Sequence, residues 1–360
     1  MLKKICFIIS GVSYSGAEIV LNRYLRNNKF IEPFFIVIFE NNEIDEKIKE
    51  LYGKSNVYNL GIKYNKNIVR FFIPVYAGFI SNKIESILKY KKIDLIYVNN
   101  TTEGMLCYKY ILKTKLKSIL HIHDMRMLYK RISHKYIINN YFKFYDKIIT
   151  VSDATKFSWE MLDIETVYNG LDKNYFSNNI KNNKIRNIGF IGNLDYRKGA
   201  DIFIKQIDNI LQRTNLNIFI VYKYYSKDIF NLLNKYKNEK RVNILTNLNE
   251  YKMKKIYDNL DILIVPSRLD PLPTVIMEAQ ARKVLVLGNN TSGIPEMIPI
   301  NDFILDMECK GELIDKIIDI KNSTFEEIDN YREIVYNYTY KKFNNDSKIK
   351  KINSIIERIK

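Results

Sequence analysis

Several residue patterns that would define common sites are missing from this sequence. Its 360 residues include only three cysteines and three histidines. Cys6, Cys107 and Cys309 are odd in number, far apart and without a CxxC pair, so we interpret them as reduced thiols of a cytosolic protein. The three histidines are too few and too badly spaced for a structural zinc site.

A long hydrophobic run is also missing. The longest apolar stretch, residues 71–80, has ten residues and contains Pro74, which is about half the length that a bilayer requires. The start, MLKKICFIISG, has too short an apolar run and no small-residue cleavage site, so it favours a buried first strand over a signal peptide. We therefore expect a cytoplasmic protein.

Positive charge is in excess, with a formal net charge of +17. Residues 1–183 have 28 basic and 17 acidic side chains, an excess of 11. Segment 61–92 has seven basic side chains and one acidic, and segment 109–147 has ten and two. Basic surfaces with apolar residues between the charges are typical of proteins that contact an anionic membrane or nucleic acid. A solvated surface of a Lys- and Asn-rich protein is the open alternative.

Short apolar segments alternate with longer segments of helical periodicity. This alternation is typical of parallel sheets that are covered by helices on both faces. The predicted strands are 4–10, 34–39, 94–99, 118–123, 147–152 and 165–170, then 187–193, 217–222, 242–245, 261–267 and 284–289. Two such series predict an α/β protein with two doubly wound, Rossmann-like domains.

Segment 177–186 is polar, Asn-rich and without periodicity, so it predicts a linker between the domains. The tail places apolar residues on one helical face between positions 349 and 359, which predicts an amphipathic end helix that packs on another part of the chain. We therefore place the first domain at 1–176 with 340–360, and the second at 187–339.

The segment GFIGNLDYRKGAD, residues 189–201, joins a predicted strand to a predicted helix. Gly192 lets the backbone approach a ligand, and the helix start offers free N–H groups. Arg197 and Lys198 add positive charge for phosphate oxygens. Neither the Walker pattern GxxxxGK[ST] nor the GxGxxG fingerprint is present. The segment favours diphosphate binding, with a merely basic turn as the open alternative.

The segment PSRLDPLPTVIMEAQAR, residues 266–282, combines a proline-rich loop with an apolar helix that contains one acid. Pro273 suits the first helical position, where its missing N–H costs little. Asp270 precedes that helix, and Glu278 lies within it. Because carboxylates suit sugar hydroxyls and a helix start suits phosphate, this segment is a second candidate site.

Together, these segments and several others resemble the motifs of the retaining GT-B glycosyltransferases of family 4, in the order of that family. They are YSGAE (14–18), HIHD (121–124), VYNGLD (167–172), GNLDYRKG (192–199), the pattern PS–acid–x7–Glu–Ala from 266, and SGIPE (292–296). The resemblance implies the GT-B fold, in which two Rossmann-like domains face a central cleft and the C-terminal helix crosses back to the first. The first domain would bind the acceptor and the second the donor.

The resemblance implies a role for each matching residue. Arg197 and Lys198 would neutralise the leaving diphosphate. Asp270 would hold a hydroxyl of the transferred sugar, and His123 would contact that sugar, with a packed strand-end histidine as the open alternative. His121 alternates on the same strand and would be structural, with an exchange of the two roles left open. The implied donor-binding residues are Gly16, Gly192, Asn193, Thr274, Val275 and Glu278, with Glu278 on the ribose.

The sequence departs from the family pattern at several positions. Asp270 stands where the family usually has glutamate, and its side chain is shorter by one methylene. Pro273 replaces a glycine found in many members. Segments 221–228 and 244–247 lack glycines that often follow those strands in the family. The surface that binds the nucleotide base is therefore expected to differ from that of other members.

The implied activity is retaining transfer of a hexose-type sugar from a UDP- or GDP-sugar to an acceptor hydroxyl, in bacterial surface polysaccharide or glycan synthesis. Since no DxD triplet stands at a strand end and fixed cations can replace a metal, we predict no metal and no cofactor. The basic first domain predicts a lipid-linked or glycan acceptor and peripheral contact with the inner face of the plasma membrane, without a nucleic-acid partner.

Two other classes of function stay open. The first is another GT-B activity, such as a nucleotide-sugar epimerase or a phosphorylase. An epimerase would need more acidic and histidine side chains in the cleft. The second is a non-catalytic basic protein that binds nucleic acid or membrane, and such a protein would tolerate loss of Lys198 and Glu278, which are both present.

Overall fold

The computed structural model describes residues 2–12, 16–65, 73–129, 132–161, 163–177, 181, 184–309 and 311–359. Residues 14–15 of the amino-terminal motif, residues 71–72 of the apolar run and several positions of the predicted linker lie outside the described residues. The chain forms two compact units, Met1–Gly170 with Asn345–Lys360, and Leu171–Asn344. The second unit thus begins before and ends after the range 187–339 expected from the sequence.

The first unit has a seven-stranded parallel sheet. Its strands are β1 Lys3–Ile9, β2 Ile31–Phe39, β3 Val57–Ile62, β4 Leu95–Asn99, β5 Lys117–Ile122, β6 Lys147–Thr150 and β7 Glu165–Thr166. They lie in the order β3-β2-β1-β4-β5-β6-β7. The central strands are buried on both faces, which is why their sequences are continuous apolar runs.

Helices cover both faces of this sheet. They are α1 Gly16–Arg26, α2 Asn42–Tyr52, α3 Ile73–Leu88, α4 Thr101–Lys113, α5 His134–Asn140, α6 Asp153–Ser158 and the C-terminal helix Asn345–Arg358. The C-terminal helix buries Ile352, Ile355 and Ile356 in one core with Phe7 of β1 and Tyr97 of β4. The predicted amphipathic end helix therefore forms and packs on the first unit.

The second unit has a six-stranded parallel sheet in which the strand order reverses. Its strands are β8 Asn187–Ile191, β9 Asn217–Tyr222, β10 Val242–Thr246, β11 Ile262–Val265, β12 Leu285–Asn289 and β13 Ile304–Leu305, in the order β10-β9-β8-β11-β12-β13. Its helices are α7 Ala200–Arg213, α8 Lys227–Asn234, α9 Glu250–Asn259, α10 Thr274–Gln280, α11 Glu312–Asn322 and α12 Phe325–Lys342. The predicted class, α/β with two doubly wound parallel sheets, is confirmed.

The loops that follow β8 and β11 leave the second sheet side by side. Successive strands are added outward from β8 on one side and from β11 on the other, and open α/β sheets bind ligands where the order reverses in this way. The main-chain N–H of Arg268 donates to the carbonyl oxygen of Arg197 at 2.9 Å. Both candidate segments of the sequence are therefore neighbours.

Gly199 allows these two loops to pack closely. It precedes α7 with a φ of +67°, and a Cβ atom at this position would lie 1.9 Å from the carbonyl oxygen of Pro266. Both the left-handed backbone and the lack of space exclude a larger residue.

We expect Gly199→Ala to destabilise the protein more than the matched change Gly61→Ala. Gly61 has a φ of +66° but no atom within 4 Å of an added Cβ. Its replacement should therefore cost only the energy of placing alanine in the left-handed conformation, about 1–2 kcal/mol. The clash with Pro266 should add about 1–3 kcal/mol. Thermal unfolding of both variants measures the difference, and equal losses would contradict the close packing.

Candidate functional site

An ion pair joins the two candidate segments of the second unit. The Nζ of Lys198 contacts the Oδ2 of Asp270, and Asp270 is only 5% exposed. The main-chain N–H of Lys198 donates to the Oδ1 of Asp195 at 2.7 Å, which holds the turn. The cation that the sequence assigns to phosphate thus lies against the carboxylate that it assigns to the sugar.

Arg197 lies over the same loop. Its Nη1 donates to the carbonyl oxygen of Leu269 at 3.3 Å, and its side chain is half-buried. The two basic residues of the turn therefore both face the loop that contains Asp270, so their positive charges are concentrated at the point where the two loops meet.

Arg268 fixes the position of the turn, a role that the sequence analysis did not assign. Its guanidinium binds both carboxylate oxygens of Asp201 on α7, at 2.7 and 3.0 Å, and its Nε donates to Glu308 at 2.6 Å. It also stacks 3.7 Å from the centre of the Tyr196 ring. Burial tends to raise the pKa of Asp201, but the bonds and charge of Arg268 outweigh burial and lower that pKa.

Glu278 lies on α10, where Tyr257 of α9 holds its carboxylate. The Tyr257 hydroxyl donates to the Oε2 of Glu278 at 2.9 Å. Glu278 is 9% exposed and Tyr257 is fully buried. The sequence indicated Glu278 as a candidate because it is an acid within an apolar helix. No local sequence pattern indicated Tyr257.

The start of α10 differs slightly from the prediction. Pro273 is the residue before the helix rather than its first residue, and Thr274 begins it. Thr274 and Val275 are half-buried. Gly293 supports the preceding loop, since its N–H donates to the carbonyl oxygen of Asp270 at 3.1 Å.

Gly192 and Asn193 begin the loop after β8. The N–H of Gly192 donates to the carbonyl oxygen of Val221 at 3.0 Å, and the Oδ1 of Asn193 accepts from the N–H of Tyr224 at 3.4 Å. These bonds tie the loop to the end of β9 and fix its direction relative to the sheet.

His123 and Gly16 belong to the first unit. The Nε2 of His123 lies 3.1 Å from the Oδ1 of Asn99, and its ring is 4.2 Å from that of His121. Burial, with the nearby charge of Lys348, lowers the pKa of His123 to about 3, so its ring is neutral at physiological pH. Gly16 is the exposed first residue of α1.

Among the residues that the structure describes, no group of three or more His, Cys, Asp or Glu could hold a metal ion. The charged groups at the meeting point of the second unit's loops include the cations Arg197 and Lys198 and the carboxylate of Asp270.

Sequence comparison finds a family match within the second unit. Residues 172–342 match the family described as glycosyl transferases group 1. A protein in the cps region of Klebsiella pneumoniae is 24% identical over 332 residues, which cover 86% of each chain. An uncharacterised glycosyltransferase of Methanocaldococcus jannaschii is 28% identical over 172 residues, which cover 42% of this chain and 44% of that protein.

Solved structures match over both units. Anabaena Alr3699/HepE, in complex with UDP and glucose, has a TM-score of 0.77 at 15% identity and covers 99% of each chain. Sucrose-phosphate synthase from Thermosynechococcus elongatus has a TM-score of 0.77 at 13% identity, also over 99% of each chain. Residues 172–342 thus match the glycosyl transferases group 1 family, and the fold of the chain is that of the GT-B glycosyltransferase structures.

Proposed function

We propose that this enzyme moves a hexose-type sugar from a nucleoside-diphosphate sugar to an acceptor hydroxyl, with retention of anomeric configuration. The ion pair of Lys198 and Asp270 carries the proposal. It joins a cation on a turn suited to phosphate with a carboxylate suited to sugar hydroxyls. The donor would lie across both loops, with its diphosphate at Arg197 and Lys198 and its sugar at Asp270.

Departure of the diphosphate is the step that the two cations would assist. An ammonium has three protons, so Lys198 can donate to a phosphate oxygen while it still contacts Asp270. Arg197 adds a planar pair of donors. Cations that are already in place stabilise the developing charge without reorganisation. The leaving phosphate would stabilise the sugar cation and accept the acceptor's proton on the same face, so no separate base is needed.

The other proposed contacts bind and orient the donor. Glu278, held by Tyr257, would accept hydrogen bonds from the ribose. The N–H groups at the start of α10, from Thr274 and Val275, would serve the sugar and phosphate. Gly192 and Asn193 would let the backbone approach the diphosphate. The roles of Gly16 at the diphosphate and of His123 at the sugar rest on the sequence resemblance.

The comparisons support a nucleotide-sugar donor and a role in glycan synthesis. The Anabaena protein was solved with UDP, with UDP and glucose, and with UDP-glucose. The Klebsiella relative lies in a cps region. These likenesses favour a UDP-sugar over a GDP-sugar as the first donor to test, and surface polysaccharide as the pathway.

We expect Lys198→Met to weaken UDP binding by about tenfold to a hundredfold, because one charge-assisted hydrogen bond to phosphate is worth about 1.5–3 kcal/mol. Glu278→Gln should weaken UDP binding by a smaller factor, since glutamine keeps an acceptor oxygen for the ribose but lacks the negative charge. Isothermal titration with UDP and GDP measures both effects.

The control for this titration is Lys240→Met. Lys240 is exposed and precedes β10, which is an edge strand of the second sheet. The donor loops instead follow the carboxyl ends of the central strands β8 and β11, so loss of Lys240 should leave UDP affinity unchanged. A wild-type protein that binds neither UDP nor GDP would overturn the proposed donor. An equal effect of the two lysine changes would mean that only overall charge matters.

We also expect activity without a divalent metal. Arg197 and Lys198 would supply the positive charge that a metal would otherwise place on the diphosphate. Release of glucose from UDP-glucose, measured with excess EDTA and then with added manganese, should proceed at the same rate in both. Loss of the reaction in EDTA and its return with manganese would contradict this mechanism.

The first unit has an exposed apolar surface that we propose contacts an anionic membrane. On α3, Val75 is 69% exposed and Phe79, one turn later, is 52% exposed. The Nζ of Lys83 lies 5.0 Å from the centre of the Phe79 ring. Of the helices that the structure describes, none has the length and apolar character needed to cross a bilayer. Peripheral contact through α3 would bring the enzyme to a lipid-linked acceptor.

Phe79→Ser should therefore reduce co-sedimentation with anionic liposomes by several-fold, since burying an aromatic side chain contributes about 1.5–3 kcal/mol. Phe325→Ser is the matched control, because Phe325 is 67% exposed on α12 of the other unit. Equal partitioning of the wild type on neutral and anionic liposomes would rule out the electrostatic part of the contact.

A further inference from the structure

A buried lysine in the first unit takes no part in the proposed donor chemistry. Lys348 of the C-terminal helix is 5% exposed, and its Nζ lies 6.0 Å from the centre of the Tyr24 ring. Within the described part of the chain, no carboxylate forms an ion pair with it. A buried ammonium without a counter-charge is costly, so this residue requires an explanation.

Other basic groups lie around Lys348. Burial, with the positive charge of Arg23 on α1, lowers the pKa of Lys348 to about 7. Burial is also the main reason for the lowered pKa values of His121 and His123, and the charge of Lys348 contributes to both. Basic side chains from α1, from the end of β5 and from the C-terminal helix thus converge.

Two buried nitrogen atoms, the Nε2 of His121 and the Nδ2 of Asn99, lie in the same cluster of side chains. The hydroxyl of Tyr97 lies 2.7 Å from the Nδ1 of His121, while the Nε2 of His121 has no partner among the described residues. His123 contacts the Oδ1 of Asn99, while the Nδ2 of Asn99 has no partner among them either. An amide nitrogen only donates, and His121 Nε2 donates when Nδ1 accepts from Tyr97. Hydrogen-bond donors beside an unpaired cation suit an anion.

We propose that Lys348, Arg23, His121 and Asn99 form a phosphoryl-binding site in the first unit, and that its ligand is a phosphoryl group of the acceptor. The assignment to the acceptor rests on the proposed function. His123 follows the carboxyl end of β5 and is half-buried, whereas His121 is buried. An acceptor linked to a lipid or sugar through phosphate has the required chemistry.

Sulfate is the probe for this site, because its charge is constant between about pH 6 and pH 9. Both histidines are neutral over that range, and the pKa values of Tyr24 and Tyr97 are raised above it. An arginine side chain is always charged in proteins. Lys348 titrates in this range, and so does Glu103 of α4, because burial raises its pKa to about 8. The pH dependence is therefore assigned to Lys348 by comparison with Lys348→Met, which retains Glu103. Since only the charged form of Lys348 attracts sulfate, wild-type affinity should fall by more than about tenfold from pH 6 to pH 9.

Lys348→Met should lose both the sulfate binding and its pH dependence. The matched control is Lys350→Met, which removes an exposed lysine from the same helix and should retain both. The titrations are repeated with Lys198→Met added, which removes sulfate binding at the donor loops. An unchanged affinity and pH profile in Lys348→Met would overturn the proposal.

The stability of Lys348→Met supplies a second test. The folded-state pKa of Lys348 lies below its unfolded value, so folding must release the lysine's proton, and this costs stability increasingly as the pH falls from 10.5 toward 7. Without sulfate, the variant should therefore melt at a higher temperature than the wild type at pH 6, by a margin that shrinks toward pH 9. A lower melting temperature throughout would show that the ammonium has a counter-charge within the protein.

Titration with UDP separates the acceptor from the donor. UDP affinity should be the same in Lys348→Met and in the wild type, since the donor diphosphate is assigned to Arg197 and Lys198. A loss of UDP affinity equal to the loss of sulfate affinity would assign the site to the donor and overturn the assignment to the acceptor. Failure of the wild type to bind UDP or GDP would count against the proposed function alone.

Discussion

The close packing of the loop after β8 on the loop after β11 is the constraint on which the site of the second unit depends. Gly199 makes it possible, because a side chain at that position would collide with the carbonyl oxygen of Pro266. Arg268 then holds the turn to α7 through Asp201. With both loops held in this way, the ammonium of Lys198 reaches the carboxylate of Asp270.

Buried charged side chains have different surroundings in the two units. In the second unit, Lys198 is paired with Asp270 and Arg268 with Asp201, and such partners offset the cost of removing charge from water. In the first unit, no carboxylate among the described residues pairs with the buried Lys348, and its pKa is lowered instead. With its pKa lowered to about 7, Lys348 gains or loses a proton near neutrality.

Sequence periodicity predicted most of the fold, because buried parallel strands are apolar throughout. It missed β3, where Asn59 and Gly61 interrupt the apolar residues at an edge of the sheet, and β13, which has only two residues. The motif order placed Lys198 and Asp270 on neighbouring loops. The resemblance did not point to Arg268 or Tyr257, because their partners lie 67 and 21 positions away.

The sequence alone determined the two α/β units, the chemistry of the basic turn and the presence of acids around α10, because periodicity and residue type are local properties. Only the tertiary structure decided which groups meet. It paired Lys198 with Asp270, whereas Lys348 has no paired acid within the part of the chain that the structure describes, since pairing depends on distance and burial. Those are set by the sheet order and by contacts as close as that of Gly199 with Pro266.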